Sequence, residues 1–143
     1  MPIEQGATNT FKTGLASGTF NFNTDTFKIA LYTGGASIGA NTTAYTTSGE
    51  TSGTGYTAGG ETLTVSVAPT TGSNPQNTVA YLSFSNVTWS PAAFTCRGAL
   101  IYKVGGGNPT VCVLDFGGDK TCTTSFQVQF PAADNTNAII RIA

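Results

Sequence analysis

The chain has 143 residues, of which six are Lys or Arg, seven are Asp or Glu and none is His. Charged residues make up 9% of the chain, against roughly 25% in an average soluble domain. The net charge is −1 and the basic residues are scattered, so nucleic acid is not an expected partner. Without histidine the chain lacks the commonest general base and metal ligand, and we predict no catalytic, cofactor or metal site.

Length and local composition predict one domain that has no membrane partner. No apolar run approaches the roughly 20 residues that a bilayer requires. The first residues, Met1 to Gln5, lack the basic and apolar regions of a signal peptide. The cysteines are three in number, Cys96, Cys112 and Cys122, and an odd number favours reduced thiols in the cytoplasm. One disulfide with one free thiol is the alternative.

Residues 1–25 are predicted to form an N-terminal arm that contains a short helix. Thr8 or Asn9 is the expected N-cap, and the helix is expected to end at Gly18. The apolar side chains of the arm are Phe11, Leu15, Phe20 and Phe22. Because they stand on a polar background, we expect them to dock on a neighbouring subunit.

Residues 26–143 are predicted to form a single β-domain. Period-two alternation of apolar residues predicts strands over 26–33, 61–67 and 79–89, and apolar runs predict further strands over 98–104, 110–116, 125–130 and 138–142. The alternation shifts phase near Asn86, which indicates a bulge or a corner. Glycine-rich turns are expected at 105–109 and 117–120. The predicted fold class is all-β, an antiparallel β-sandwich or barrel of about seven or eight strands.

A Gly/Thr-rich loop at about 34–60 interrupts these strands. Its large side chains are Tyr45 and Tyr56. Loops of this length in a compact domain are usually functional or mobile, so both tyrosines are candidate partner contacts. Arg97 interrupts an apolar strand, which predicts a solvent-facing ion pair or, alternatively, a subunit contact.

Two short patterns resemble motifs but lack the context that the motifs need. Residues 53–58 match a dinucleotide-binding spelling without the strand and helix that should flank it. Asp115 and Asp119 lie on either side of two glycines, where their carboxylates could meet across a turn. A calcium site needs about six or more oxygen ligands, so the favoured interpretation is that Asp119 caps the turn.

The aromatic residues suggest an alternative function, a carbohydrate-binding module with a stacking platform. The rings of such a platform would be Tyr45, Tyr56, Tyr81, Trp89 and Tyr102. A small hydrolase is a third class, which the absence of histidine disfavours.

Long stretches of the chain, residues 29–49 and 62–96, carry no charge. Sheet edges are normally protected from association by Lys, Pro or inward-pointing charges. We therefore expect these surfaces to be covered in the working state by copies of the same chain or by a larger partner.

Several segments resemble small virion structural proteins of tailed bacteriophages: TFKIALYT (26–33), NTTAYTT (41–47) with the following GETSGTGYTAGGETLT, the region from Trp89 to Tyr102, VLDFGGDKT, and FQVQFPAADNTNAIIRI at the end. They span Thr26 to Ile142. The resemblance implies a non-enzymatic capsid decoration (cement) protein that binds the major capsid protein or another virion protein. It also implies a homo-oligomer, with a trimer favoured, in a virion assembled in the bacterial cytoplasm. A neck, tail or baseplate component is the alternative, and no catalytic residue is implied.

Overall fold

A computed structural model describes residues 3–71, 79–134 and 136–142. Over these ranges the protein is mostly β, with antiparallel sheets and one short helix, which confirms the all-β class. The elements are β1 (Gly6–Ala7), α1 (Asn9–Ser17), β2 (Phe27–Tyr32), β3 (Glu61–Thr62), β4 (Val65–Thr71), β5 (Ala80–Phe84), β6 (Val87–Trp89), β7 (Phe94–Lys103), β8 (Thr110–Cys122), β9 (Phe126–Val128) and β10 (Ile140–Ile142). There are more strands than predicted. The predicted strand 61–67 is split into β3 and β4, and the predicted strand 79–89 is split into β5 and β6. Strand β1 has only two residues, which is too short to show periodicity in the sequence.

Helix α1 has both of its predicted ends. The Thr8 hydroxyl accepts a hydrogen bond from the backbone N–H of Phe11 (3.1 Å), as an N-cap does. Gly18 ends the helix with φ of 80°, in the left-handed conformation that favours glycine. The described part of the chain contains no helix long and apolar enough to cross a membrane.

The largest sheet has five strands in the order β1-β8-β7-β2-β3 and is covered on both faces. Along β2, Phe27, Ile29 and Leu31 belong to one buried cluster, whereas Ala30 and Tyr32 belong to another. The sequence predicted a half-buried strand here. Both faces are buried because the loop that follows β2 folds back and packs apolar residues onto the second face.

Two smaller sheets complete the fold, β10-β5-β4 and β6-β9. The phase shift predicted near Asn86 is a corner: β5 ends at Phe84 in one sheet and β6 begins at Val87 in another. The predicted turn at 105–109 is also confirmed, because it joins the antiparallel strands β7 and β8.

The turn predicted at 117–120 is wrong, because β8 continues through it to Cys122. Cys96 pairs with Lys120, whereas Gly98 pairs with Asp115. Residues 116–119 therefore form a bulge opposite Arg97. Bulges and reverse turns both favour glycine at positive φ, and Gly117 has φ of 82°, so composition alone does not separate the two structures.

The segment predicted as an arm folds onto the β-domain. Phe11, Phe20 and Phe22 are only 4%, 8% and 7% exposed. The Phe22 ring stacks on Phe27 of β2 with 4.5 Å between ring centroids, and it lies 6.3 Å from Phe84 of β5. These three side chains belong to the core of the same chain, which corrects the expectation that they face a neighbouring subunit.

A polar contact also ties this segment to the large sheet. The Lys103 Nζ donates to the backbone carbonyl of Thr19 (2.6 Å) and lies 3.2 Å from the Asp25 carboxylate. Lys103 is the last residue of β7, so the contact joins the end of the central strand to the segment that follows α1.

The Phe22→Ala variant should lose about 3–5 kcal/mol of unfolding free energy, because it leaves a cavity in the core. The matched control Leu15→Ala, which truncates an exposed side chain, should lose about 0.5 kcal/mol or less. Urea unfolding followed by Trp89 fluorescence measures both. Equal losses in the two variants, or a folded β-domain after deletion of residues 1–22, would show that the segment is not part of the core.

The three cysteines are free and buried, in agreement with the prediction of reduced thiols. Burial raises the pKa of Cys96 and the pKa of Cys112 to about 12 from an ordinary value of 9.0. We expect iodoacetamide to label neither thiol of the native protein at pH 8, as mass spectrometry can measure.

Because the folded state holds the protons of these two thiols more tightly, the contribution of the thiols to the free energy of unfolding should be complete below pH 9.0 and fall as the pH rises towards 12. Rapid native labelling, or a urea midpoint that does not fall above pH 9, would contradict this.

Candidate functional site

A surface groove of about 380 Å³ lies between the segment around α1 and the three-stranded sheet. Its apolar lining consists of Leu15, Phe20, Phe22, Pro69, Leu82 and Ile142. The other lining residues are Gly18 and two asparagines, so none of the lining residues is charged. This is the surface where the N-terminal segment meets the uncharged strands β4 and β5 and the end of β10.

Close packing against α1 builds one wall of the groove. Gly14 is buried on the helix, and a Cβ atom at this position would lie 2.4 Å from the Phe20 ring. The absence of a side chain lets Phe20 lie against the helix. Leu15, one residue further along the helix, is 37% exposed at the rim.

The opposite wall is an extension of the buried face of the small sheet. Ile140 of β10 pairs with Leu82 of β5, and both side chains are buried. Ile142 lies two residues further along β10, so its side chain points to the same face of the sheet. It extends beyond the core and is 46% exposed. The groove is thus the uncovered end of an otherwise buried apolar face.

The structure brings together only some of the predicted partner contacts. Leu15, Phe20 and Phe22 line the groove, and Phe11 lies behind them in the core. Tyr45, Tyr56 and Arg97 are not among the residues that line it. Sequence reasoning missed Ile142 because the length of strand that extends past the core depends on the packing of the two sheets.

Tyr45 and Tyr56 instead converge on a carboxylate within the long loop. The Tyr45 hydroxyl donates to Glu50 Oε1 (2.6 Å), the Tyr56 hydroxyl donates to Glu50 Oε2, and the backbone N–H of Gly59 donates to the same Oε2 (2.8 Å). Glu50 forms no ion pair with any described residue. The sequence analysis did not single out Glu50, although it is the one charged residue between Lys28 and Glu61.

The tyrosines of this cluster are held in their protonated form. Burial, followed by the interactions with Glu50, raises the pKa of Tyr45 and the pKa of Tyr56 above the usual range. The Tyr102 hydroxyl donates to the Gly59 carbonyl (2.6 Å), and burial raises its pKa to about 12. Neutral phenols that already donate internally serve as structural hydrogen-bond donors.

Tyr56 also completes the edge of the large sheet. Its hydroxyl accepts a hydrogen bond from the backbone N–H of Leu31 (2.9 Å) while it donates to Glu50. A neighbouring strand would place a carbonyl at this point. The side chain therefore satisfies a backbone group of β2 that no strand reaches.

Two of the five rings predicted for a carbohydrate-stacking platform are buried. Trp89 is 2% exposed and Tyr102 is 4% exposed, so neither offers a ring face to a sugar. The indole N–H of Trp89 is itself buried without a hydrogen-bond partner among the described residues. Tyr45 stacks on Tyr102 with 4.8 Å between ring centroids, which covers a ring face of each.

Arg97 forms the surface ion pair that was one of its two predicted roles. Its Nε lies 3.7 Å from Asp115 Oδ1, next to the bulge in β8, and the two side chains are 39% and 28% exposed. Surface pairs of this kind stabilise a fold by about 1 kcal/mol or less. A subunit contact through Arg97 stays a prediction.

A second, polar cleft of about 530 Å³ runs along residues 37–44 of the long loop, beside Glu4 and Thr46. It contains hydroxyl and amide groups but no aromatic ring. Within the described ranges, no group of three or more Cys, Asp or Glu residues is placed to hold a metal ion.

No protein-family model, curated protein or solved structure matches this chain.

The Tyr56→Phe variant should lose about 1–3 kcal/mol of unfolding free energy, because the Leu31 N–H loses its acceptor and Glu50 loses a donor. Tyr81→Phe is the matched control, because it removes the same hydroxyl oxygen from a tyrosine that is partly exposed on the small sheet. Urea denaturation of both variants measures the difference. If Tyr56→Phe is no less stable than Tyr81→Phe, the hydroxyl does not support the sheet edge.

Proposed function

We propose that this chain is a non-enzymatic structural subunit of a tailed-phage virion, namely a capsid decoration protein that binds neighbouring major capsid subunits. The observation that carries the proposal is the uncharged apolar groove, in which Leu15 and Ile142 stay exposed in the isolated chain. The sequence resemblance to virion structural proteins supplies the biological setting.

The distribution of exposed apolar side chains supports a protein partner. Among the described residues, the large hydrophobic side chains that are exposed are Leu15, Val104 and Ile142, and two of them line the same groove. A single exposed apolar side chain is ordinary, whereas a group around a concave surface is typical of an interaction site.

The charge-poor surface next to the groove supports the same function. Strand β4 is an edge strand whose residues are partly or fully exposed, and it carries no charge. It also contributes Pro69 to the groove. Such a surface can be covered by another subunit without the cost of removing charges from water.

In a symmetric oligomer, weak individual contacts would be sufficient for stable binding to the capsid. A homo-oligomer, with a trimer favoured, presents several grooves to a capsid lattice that repeats its own sites. Each bound groove raises the effective concentration of the next one, so dissociation is slow even when a single contact is weak.

As part of this proposal, the sheets pack face to face as a β-sandwich. What supports this arrangement is the contact between aromatic rings from different sheets: Phe27 of β2 lies 6.3 Å from Phe84 of β5, and Trp89 of β6 lies 6.5 Å from Phe94 of β7. An experimental structure with a closed ring of hydrogen-bonded strands would contradict the sandwich.

The location of the chain in an intact particle tests the proposed function. Electron cryo-microscopy should place many symmetry-related copies over the joints of the capsid lattice. Density in the neck, tail or baseplate would contradict the decoration role and would favour the alternative, a neck, tail or baseplate component. Absence of the chain from purified particles would contradict both.

Binding to particles that lack this chain tests the groove. Leu15→Ser and Ile142→Ser should each weaken binding about threefold to tenfold, because part of an apolar side chain is no longer buried on docking. Val104→Ser is the matched control, since Val104 is 42% exposed but does not line the groove. Equal binding by all three variants would show that the groove is not the contact surface.

A further inference from the structure

The outer edge of β2 is closed by two different segments. The first half pairs with β3, where Lys28 lies opposite Thr62 and Ile29 opposite Glu61. The second half is covered by residues 49–60 of the long loop, which we call the strap. The strap contains no strand of its own, yet it takes the place of one.

Four hydrogen bonds join the strap to β2 and the residue that follows it, three from backbone N–H groups and one from the Thr33 hydroxyl to the Gly49 carbonyl (3.1 Å). The Thr51 N–H donates to the Leu31 carbonyl (2.9 Å), and the Thr33 N–H donates to the Gly49 carbonyl (2.9 Å). The Leu31 N–H donates to the Tyr56 hydroxyl (2.9 Å). Between its two ends, the strap satisfies backbone groups that would otherwise form an open sheet edge.

Glu50 holds the two ends of the strap together. Its carboxylate accepts from Tyr56 and from the Gly59 N–H inside the strap, and from Tyr45 outside it. Tyr45 in turn stacks on Tyr102 of β7. A single carboxylate thus connects the strap to the covered face of the large sheet.

Apart from the Tyr56 ring, which packs against Trp89 and Phe94 of the core, little apolar burial holds the strap in place. Thr51 and Gly59 are its fully buried residues, and Tyr56 is its one large apolar side chain. Gly60 approaches β2 so closely that a Cβ atom there would lie 1.8 Å from the Ile29 carbonyl oxygen. Except at Tyr56, the strap therefore fits backbone against backbone and is held by hydrogen bonds. Segments with few buried apolar contacts open at lower free energy than the core.

We propose that the strap opens and closes as one unit over the edge of β2, with Glu50 as its latch. The closed form hides the backbone groups of Leu31 and Thr33. The open form exposes them as a free sheet edge. This inference does not depend on the proposed function.

Native-state hydrogen exchange, measured by NMR on the unmodified protein, tests whether the strap opens as one unit. The amides of Leu31, Thr33 and Thr51 should exchange through one common opening, with the same dependence on urea. Amides shared between β7 and β8 should exchange only by global unfolding and therefore more slowly. Three unrelated exchange rates, or rates equal to those of β7 and β8, would overturn the proposal.

The latch is tested with Glu50→Gln. The amide keeps one acceptor oxygen but loses the charge that strengthens the bonds from Tyr45, Tyr56 and Gly59. Exchange at the Leu31, Thr33 and Thr51 amides should accelerate about tenfold or more, with little change in β7 and β8. Glu61→Gln makes the same chemical change at an exposed position of β3 and should leave these rates unchanged.

Two outcomes would contradict the latch. Unchanged exchange in Glu50→Gln would show that the carboxylate does not hold the strap, and an equal acceleration throughout β7 and β8 would show a global effect. If Glu50→Gln fails to fold, Tyr45→Phe removes one donor to Glu50 and leaves the Leu31 acceptor in place. This variant should accelerate the three strap-linked amides alone, and exchange rates identical to those of the unmodified protein would reject the proposal.

Discussion

Strand β2 is buried on both faces, and β7 pairs with the whole of one of its edges, so the rest of the fold has to cover the two faces and the outer edge. The segment around α1 and the small sheets cover one face, and the long loop covers the other. The outer edge is closed by β3 and the strap. An uncovered backbone group in such a strand would be costly, since it has no water to replace its partner.

The scarcity of charge determines how this covering is made. Hydroxyl groups satisfy backbone groups at several buried points: Thr8 caps α1, and Tyr56 accepts from Leu31. The one carboxylate of the long loop is held by neutral donors, and it forms no ion pair with a described Lys or Arg. Neutral groups cost less to bury than ions, so a charge-poor chain can build a well-bonded interior from Thr, Tyr and Gly.

The same scarcity of charge distinguishes the inside of the fold from the proposed binding surface. The hydroxyls of Tyr45 and Tyr56 are engaged within the chain, which makes them unsuitable as the main contacts of a partner. Leu15 and Ile142 have no such internal role. They extend a buried apolar face into solvent, which is why this face is the proposed contact surface.

The sequence by itself determined the elements whose signals are local. The cap at Thr8, the end at Gly18, the hairpin at 105–109 and the corner near Asn86 each depend on a few adjacent residues, and all four are present. Local geometry limits the backbone there whatever the remainder of the chain does.

Only the tertiary structure decided which faces are covered and by what. The phenylalanines before residue 25 could serve a partner or the chain's own core, and the distance to Phe27 and Phe84 decides between them. The glycines after Asp115 suit a turn or a bulge, and the register with β7 decides that choice. Glu50 is significant only because the folded loop brings two tyrosines to it. These features depend on contacts between residues far apart in the chain, which periodicity and composition do not encode.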